Sequence, residues 1–208
     1  MHTAGVAGGR RDGADVRQRL VEAAYACVAQ RGLVRTTVED AAREAQVSRA
    51  TVYRHFPGGR EELVQEAIRW ETGRFFLALA RSVESAPDFA GVLEEGLVQA
   101  HLLVNEHVVL QSLLRQEPER LLPALTEEAR GILPFIAEFL RPHLARQPLR
   151  PGVGADEAAA YLARMILSLI NSPGRWDLTD RAAVAELVRT ELLAGLLGGV
   201  TEVTPPFP

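Results

Sequence analysis

Apolar side chains recur along this chain at three- and four-residue spacing, the period of a helix with one buried face. In "DVRQRLVEAAYACVAQRG", Val16, Leu20, Ala23, Ala24, Cys27 and Val28 share a stripe. Asp15 is suited to cap its start and Gly32 to end it. "TTVEDAAREA" opens on Thr36 or Thr37 and puts Glu39 and Asp40 in a first turn, where the helix dipole favours acids. After "QVS", Ser48 caps a third segment from Arg49 to about His55, which "FPGG" stops. Longer helices are expected beyond: Arg60 to a stop at Ala86-Pro87, then Asp88 to Glu117 with a break near Asn105 to His107. Pro123 is read as a helix start and Pro134 as a kink, and "RQPLRPGVG" is a loop. Two last helices run from about Ala155 to Asn171 and from Asp180 to Leu197. No stretch alternates over a strand length, so the expected class is all-α. It divides into a flexible arm (1–14), a small three-helix head (15–60), a larger helical domain (61–200) and a fraying tail (201–208).

Charge separates the two domains further. The chain has 208 residues, 47% of them hydrophobic, and a net charge of −4; every basic residue is arginine. Residues 1 to 60 hold ten arginines against six acids, a surplus of +4, and the rest is −8. A polyanionic partner therefore belongs at the N-terminal end. The single cysteine, Cys27, forms no internal disulfide and reads as a small core residue. No stretch reads as a signal peptide or approaches the ~20 apolar residues of a membrane span, so a cytoplasmic protein without membrane contact is expected.

"VEDAAREAQVSRATVYRHF" concentrates the candidate chemistry. Val38, Ala41, Ala42, Ala45, Val47, Ala50, Val52 and Phe56 can knit two short helices across a tight turn. Ser48, Arg49, Thr51, Tyr53, Arg54 and His55 then project from the other faces of the third helix, and no acid occurs from Arg49 to Arg60. Such a mixture of short donors, acceptors and guanidinium forks suits the major groove of DNA. A merely solvated helix is the plainer alternative.

The segment "TTVEDAAREAQVSRATVYRHFPGGREELVQEAI", Thr36 to Ile68, resembles the helix-turn-helix of the TetR (tetracycline-repressor-like) family of bacterial transcription regulators. The resemblance covers about fifty N-terminal residues. It implies a three-helix DNA-binding domain, a divergent C-terminal domain that binds a small effector, a homodimer and a palindromic double-stranded operator. By the same resemblance Thr37 and Tyr53 match phosphate contacts, and Ser48, Arg49 and Thr51 fall where bases or backbone are reached. His55 ends the recognition helix. Two departures stand out. Gln46 occupies a turn position where the family usually has glycine, and "FPGGREEL" carries one extra residue before the next helix, where Arg60 is the candidate for the family's basic phosphate contact.

The later helices hold more large apolar residues than a small head needs for support. Glu94, His101 and Asn105 interrupt them roughly in helical register. Together with Trp70, Phe76 and Phe135 they make the candidate lining for an apolar small molecule, with ordinary core and solvent-facing polar groups as the alternative. Leu162, Ile166, Leu192 and Leu196 on the last two helices are the candidate dimer seam, against an internal role. The expected function is a ligand-responsive repressor released from its operator by an apolar effector. A regulator acting through a protein partner is the second reading, and an enzyme using Glu94, His101 and His107 a remote one. No catalytic residue, metal or cofactor is expected.

Overall fold

The computed structural model describes residues 6–198, with side chains for that range except 6–13 and 127–130. The first apolar stripe forms α1 (Val6–Arg31), followed by α2 (Val38–Glu44), α3 (Arg49–His55), α4 (Gly59–Val83), α5 (Phe89–Glu106), α6 (Val108–Gln116), α7 (Pro118–Leu144), α8 (Ala155–Asn171) and α9 (Arg181–Leu187). A π-helical turn, Val188–Leu193, continues α9. Among the described residues the only β-type pairing is an isolated bridge between Leu149 and Leu197.

Three expectations change. The arm expected over 1–14 is helical from Val6 onward, and residues 1–5 lie outside the described residues, as does the tail at 201–208. Once α1 is nucleated, Ala7, Arg10, Arg11 and Ala14 extend it at one hydrogen bond per residue. α7 starts at Pro118, where a missing N–H is harmless, and continues through Pro123 and Pro134. The packing divides within α4 and α7 instead of at residue 60. One compact unit takes α1 to Leu77 plus His107–Thr126; the other takes Ala78–Glu106 and the described residues after Thr126, as far as 198. Of α4, Gly59–Leu77 belongs to the first unit.

In the first unit Leu20 and Ala24 of α1, Ala41 of α2, Val52 and Phe56 at the end of α3, and Leu63 and Ala67 of α4 form one core, with Trp70 at its margin. A second cluster joins Val28, Leu33 and Val64 to Leu113 of α6 and Leu121 of α7. Between α2 and α3 the chain reverses through Gln46, at φ +55°, a left-handed conformation held by the Val47 N–H on the Ala42 carbonyl at 2.9 Å. Gln46 thus adopts, without being glycine, a backbone conformation that favours glycine.

In the second unit α5 packs against α8, α9 and the π-helical turn. Leu97, Leu144, Leu162, Leu178, Leu187, Leu192 and Val184 are essentially inaccessible. An Arg181–Glu95 ion pair at 2.7 Å joins α9 to α5, and the Tyr161 hydroxyl donates to the Glu191 carbonyl at 3.1 Å. Three of the four expected seam residues thus belong to their own unit's core: Leu162 and Leu192 are 0% exposed and Leu196 8%, and only Ile166 is half-buried. An apolar stripe fits an internal helix contact and a subunit seam equally well, and internal packing took these side chains.

Two outcomes follow for stability. Gln46→Gly should raise the unfolding free energy by about 0.5–1 kcal/mol in urea titration, the relief of left-handed strain exceeding the entropy that glycine adds to the unfolded chain. Leu192→Ala should lower it by about 2–5 kcal/mol, the cost of a core cavity. A loss under about 0.5 kcal/mol would place Leu192 on the surface instead.

Candidate nucleic-acid interface

Two caps set the ends of α2 and α3. The Thr37 hydroxyl accepts the Asp40 N–H at 3.1 Å and donates to the Asp40 carboxylate at 2.7 Å, while the Thr37 N–H reaches that carboxylate at 3.3 Å. Ser48 accepts the Thr51 N–H at 3.1 Å, and the two hydroxyls lie 2.9 Å apart. The Ala45 carbonyl at the end of α2 accepts from Arg19 of α1 at 2.6 Å. These bonds satisfy helix-end groups that would otherwise be orphaned and fix α3 with one side on the core, through Val52 and Phe56, and the other outward.

The outward side carries most of the expected residues. Thr37, Ser48, Arg49, Tyr53 and Arg54 are exposed, while Thr51 and His55 are half-buried. Arg49 is pinned in place. Its NH1 lies 2.6 Å from Glu39 Oε1 and its NH2 3.3 Å from the Tyr53 hydroxyl, with the guanidinium 5.4 Å from the Tyr53 ring centre. The Tyr53 hydroxyl first and Glu39 second push the Arg49 pKa up. The acid-free run from Arg49 to Arg60 hides Glu39, which lies on the preceding helix. The turn at Gln46 brings the first turn of α2 beside the start of α3, and the only earlier signal was that Glu39 is not the capping acid of α2.

Arg60 has a different task from the one expected. Its Nε donates to the Thr36 carbonyl at 2.7 Å, one terminal nitrogen donates to the Leu33 carbonyl, and the other lies 3.3 Å from Glu61. The guanidinium is committed to the α1–α2 turn because that turn exposes carbonyls beside the start of α4.

The expected ligand-lining residues are divided between the two units. Trp70 and Phe76 fall in the first unit. Trp70 packs edge-on against Tyr25 at 5.6 Å with Arg74 4.8 Å from its ring centre, and Phe76 meets Phe75 edge-on at 5.2 Å. Burial, and then Glu71, push the Tyr25 hydroxyl up to about 12. In the second unit Glu94 lines a groove of about 410 Å³ with Ala90, Ala182, Ala185, Glu186 and Arg189. Asn105 turns back on its own helix, its amide 2.8 Å from the His101 carbonyl and 3.1 Å from the imidazole. The two satisfy each other, as side chains one turn apart can. Phe135 is 53% exposed on α7. His107, in the first unit, caps α6 by accepting the Leu110 N–H at Nδ1, 3.0 Å, and reaches Glu71 through Nε2 at 3.0 Å. No three His, Cys, Asp or Glu side chains gather to hold a metal among the described residues.

Comparison with known proteins bears on this surface. The family described as "Bacterial regulatory proteins, tetR family" matches residues 20–67, the span of α1 to α4 that builds the capped pair. An uncharacterised HTH-type transcriptional regulator of Mycobacterium bovis is 47% identical over 188 residues, covering 90% of this chain and 95% of that one. The HTH-type transcriptional repressor KstR2 of Mycolicibacterium smegmatis is 27% identical over 196 residues, covering 89% and 91%. Among solved structures, the TetR family repressor AlkX of Dietzia sp. strain DQ12-45-1b shares the fold with a TM-score of 0.59 at 24% identity, covering 85% of this chain and 94% of that one. AlkX is implicated in the biodegradation of n-alkanes.

The Asp40 network should be visible in solution. The Thr37 hydroxyl above all, with its amide and Arg31 behind it, holds the Asp40 carboxyl below the usual range against the opposing effect of burial. A depressed carboxyl stabilises the fold above its unfolded value of about 3.9 and loses that contribution as pH falls through the lower, folded value. Asp40→Asn should therefore be less stable at pH 7, and its unfolding free energy should fall less steeply below about pH 4 than that of the wild type. Urea titrations down the acid range check both.

Proposed function

Because the chain belongs to the TetR family of bacterial helix-turn-helix transcriptional regulators, we propose that it represses genes by docking α3 in the major groove of a palindromic operator, and that an apolar small molecule relieves the repression. The observation that carries the DNA reading is the capped α2–α3 pair, with Arg49, Tyr53 and Arg54 outward on a chain segment that bears the basic surplus. Repression draws support from the resemblance to KstR2, and an apolar effector from the implication of AlkX in n-alkane biodegradation.

One recognition helix reads only a few base pairs, so the proposal includes a homodimer whose two α3 helices enter major grooves about 34 Å apart or more. With Leu162, Leu192 and Leu196 internal, Ile166 is the seam candidate left accessible to a partner. The effector acts by preferring, by a few kcal/mol, the state in which that spacing is wrong.

Selection of binding sites from random DNA tests the reading. The purified chain should recover a palindrome and lose affinity linearly on a log–log salt plot. Tyr53→Ala should weaken binding to all sequences about tenfold, as expected for a lost phosphate contact. Ile166→Glu should yield a folded monomer in sedimentation with no operator affinity. Medium-chain n-alkanes or other apolar probes should release the wild type from the recovered site. Recovery of no sequence preference would refute the DNA reading, and release by no apolar probe would refute the effector reading alone.

A further inference from the structure

The capped pair α2–α3 already has its structural acid in Asp40, which closes the cap with Thr37. Glu39, one residue earlier, is exposed and reaches across to Arg49 at the start of α3. An exposed ion pair of this kind adds little stability, so its effect is to be sought in what the guanidinium meets. Arg49 is held on two sides, by the Glu39 carboxylate at 2.6 Å and the Tyr53 hydroxyl at 3.3 Å, with the Tyr53 ring beneath it.

We propose that Glu39 is a specificity-determining residue that reserves Arg49 for uncharged acceptors on a base edge and denies it to phosphate. A free guanidinium on a groove-facing helix is drawn to phosphate on DNA of any sequence, and each such contact releases counterion without reading a base. With a carboxylate in contact, the pair is nearly neutral, and a phosphate that approaches Arg49 also approaches Glu39. Guanine offers O6 and N7, two uncharged acceptors in the plane that an arginine fork fits. The Arg49 N–H groups not used by Glu39 and Tyr53 remain for them, and the Tyr53 ring limits how the fork can turn. The carboxylate thus subtracts affinity from all DNA while leaving the gain on a correctly placed guanine. This rests on the operator-binding reading above.

The test is Glu39→Gln, which keeps an acceptor for Arg49 and removes the charge. Binding is measured across a salt series on the operator selected by the wild type and on a random duplex. Affinity for the random duplex should rise about three- to tenfold, and its log–log salt slope should steepen by about 0.9, one extra phosphate contact. Operator affinity should rise less, so the ratio of operator to random binding falls several-fold, and Glu39→Asp should recover most of it. In an Arg49→Gln background the gain from Glu39→Gln should shrink to less than half, since no guanidinium is freed. An unchanged ratio and slope, or an equal gain without Arg49, would overturn the inference while leaving operator binding intact. A wild type that selects no sequence would overturn both.

Discussion

The turn between α1 and α2 is gripped from two sides, and the placement of α2 and α3 depends on that grip. Arg60, at the start of α4, donates to the carbonyls of Leu33 and Thr36. Glu117, between α6 and α7, accepts the Val34 N–H at 2.9 Å. Thr36 is buried and donates its hydroxyl to the Gly32 carbonyl at 2.8 Å. Gly32 itself is left-handed at φ +85°, and a Cβ there would collide with the Glu117 carboxylate. Backbone groups buried at a turn must find partners, and here the partners come from helices distant in sequence. The start of α2, and with it the angle at which α3 is presented, is therefore set by the ends of α1, α4, α6 and α7 together.

Arginine does two kinds of work in this chain, and only one was visible as charge. The basic surplus of the first 60 residues pointed to a polyanion-binding end. Several of those arginines are internal clamps: Arg19 on the Ala45 carbonyl, Arg31 on Asp40, Arg60 on the α1–α2 turn. A planar guanidinium with five donors can grip carbonyls while keeping its stem against the core. On α3 itself Arg49 and Arg54 are exposed, and Arg49 is paired with Glu39. Net charge alone does not separate arginines that clamp the fold from those that stay outward.

The later helices show a related limit. Glu94, His101 and Asn105 look like one polar stripe, yet Glu94 lines a groove with α9 residues while His101 and Asn105 close on each other. Polar side chains on one helix face do not converge unless a second element turns them toward a common space, and that element is not encoded in their spacing.

Local physics was legible in the sequence: the caps at Thr37 and Ser48, the break at His107, the exposure of Arg49, Tyr53 and Arg54, the strained position at Gln46 and the all-helical class. Each follows from groups within about four residues of one another, where helix periodicity and end-capping act. Tertiary packing decided the rest. It placed Leu162 and Leu192 in a core, because an apolar stripe does not say which surface will cover it. It turned Arg60 to carbonyls that lie two dozen residues upstream, and it brought Glu39 to Arg49 through a left-handed turn. Those outcomes depend on which helices meet, a choice made by the summed burial of the whole unit and not by the residues that carry the chemistry.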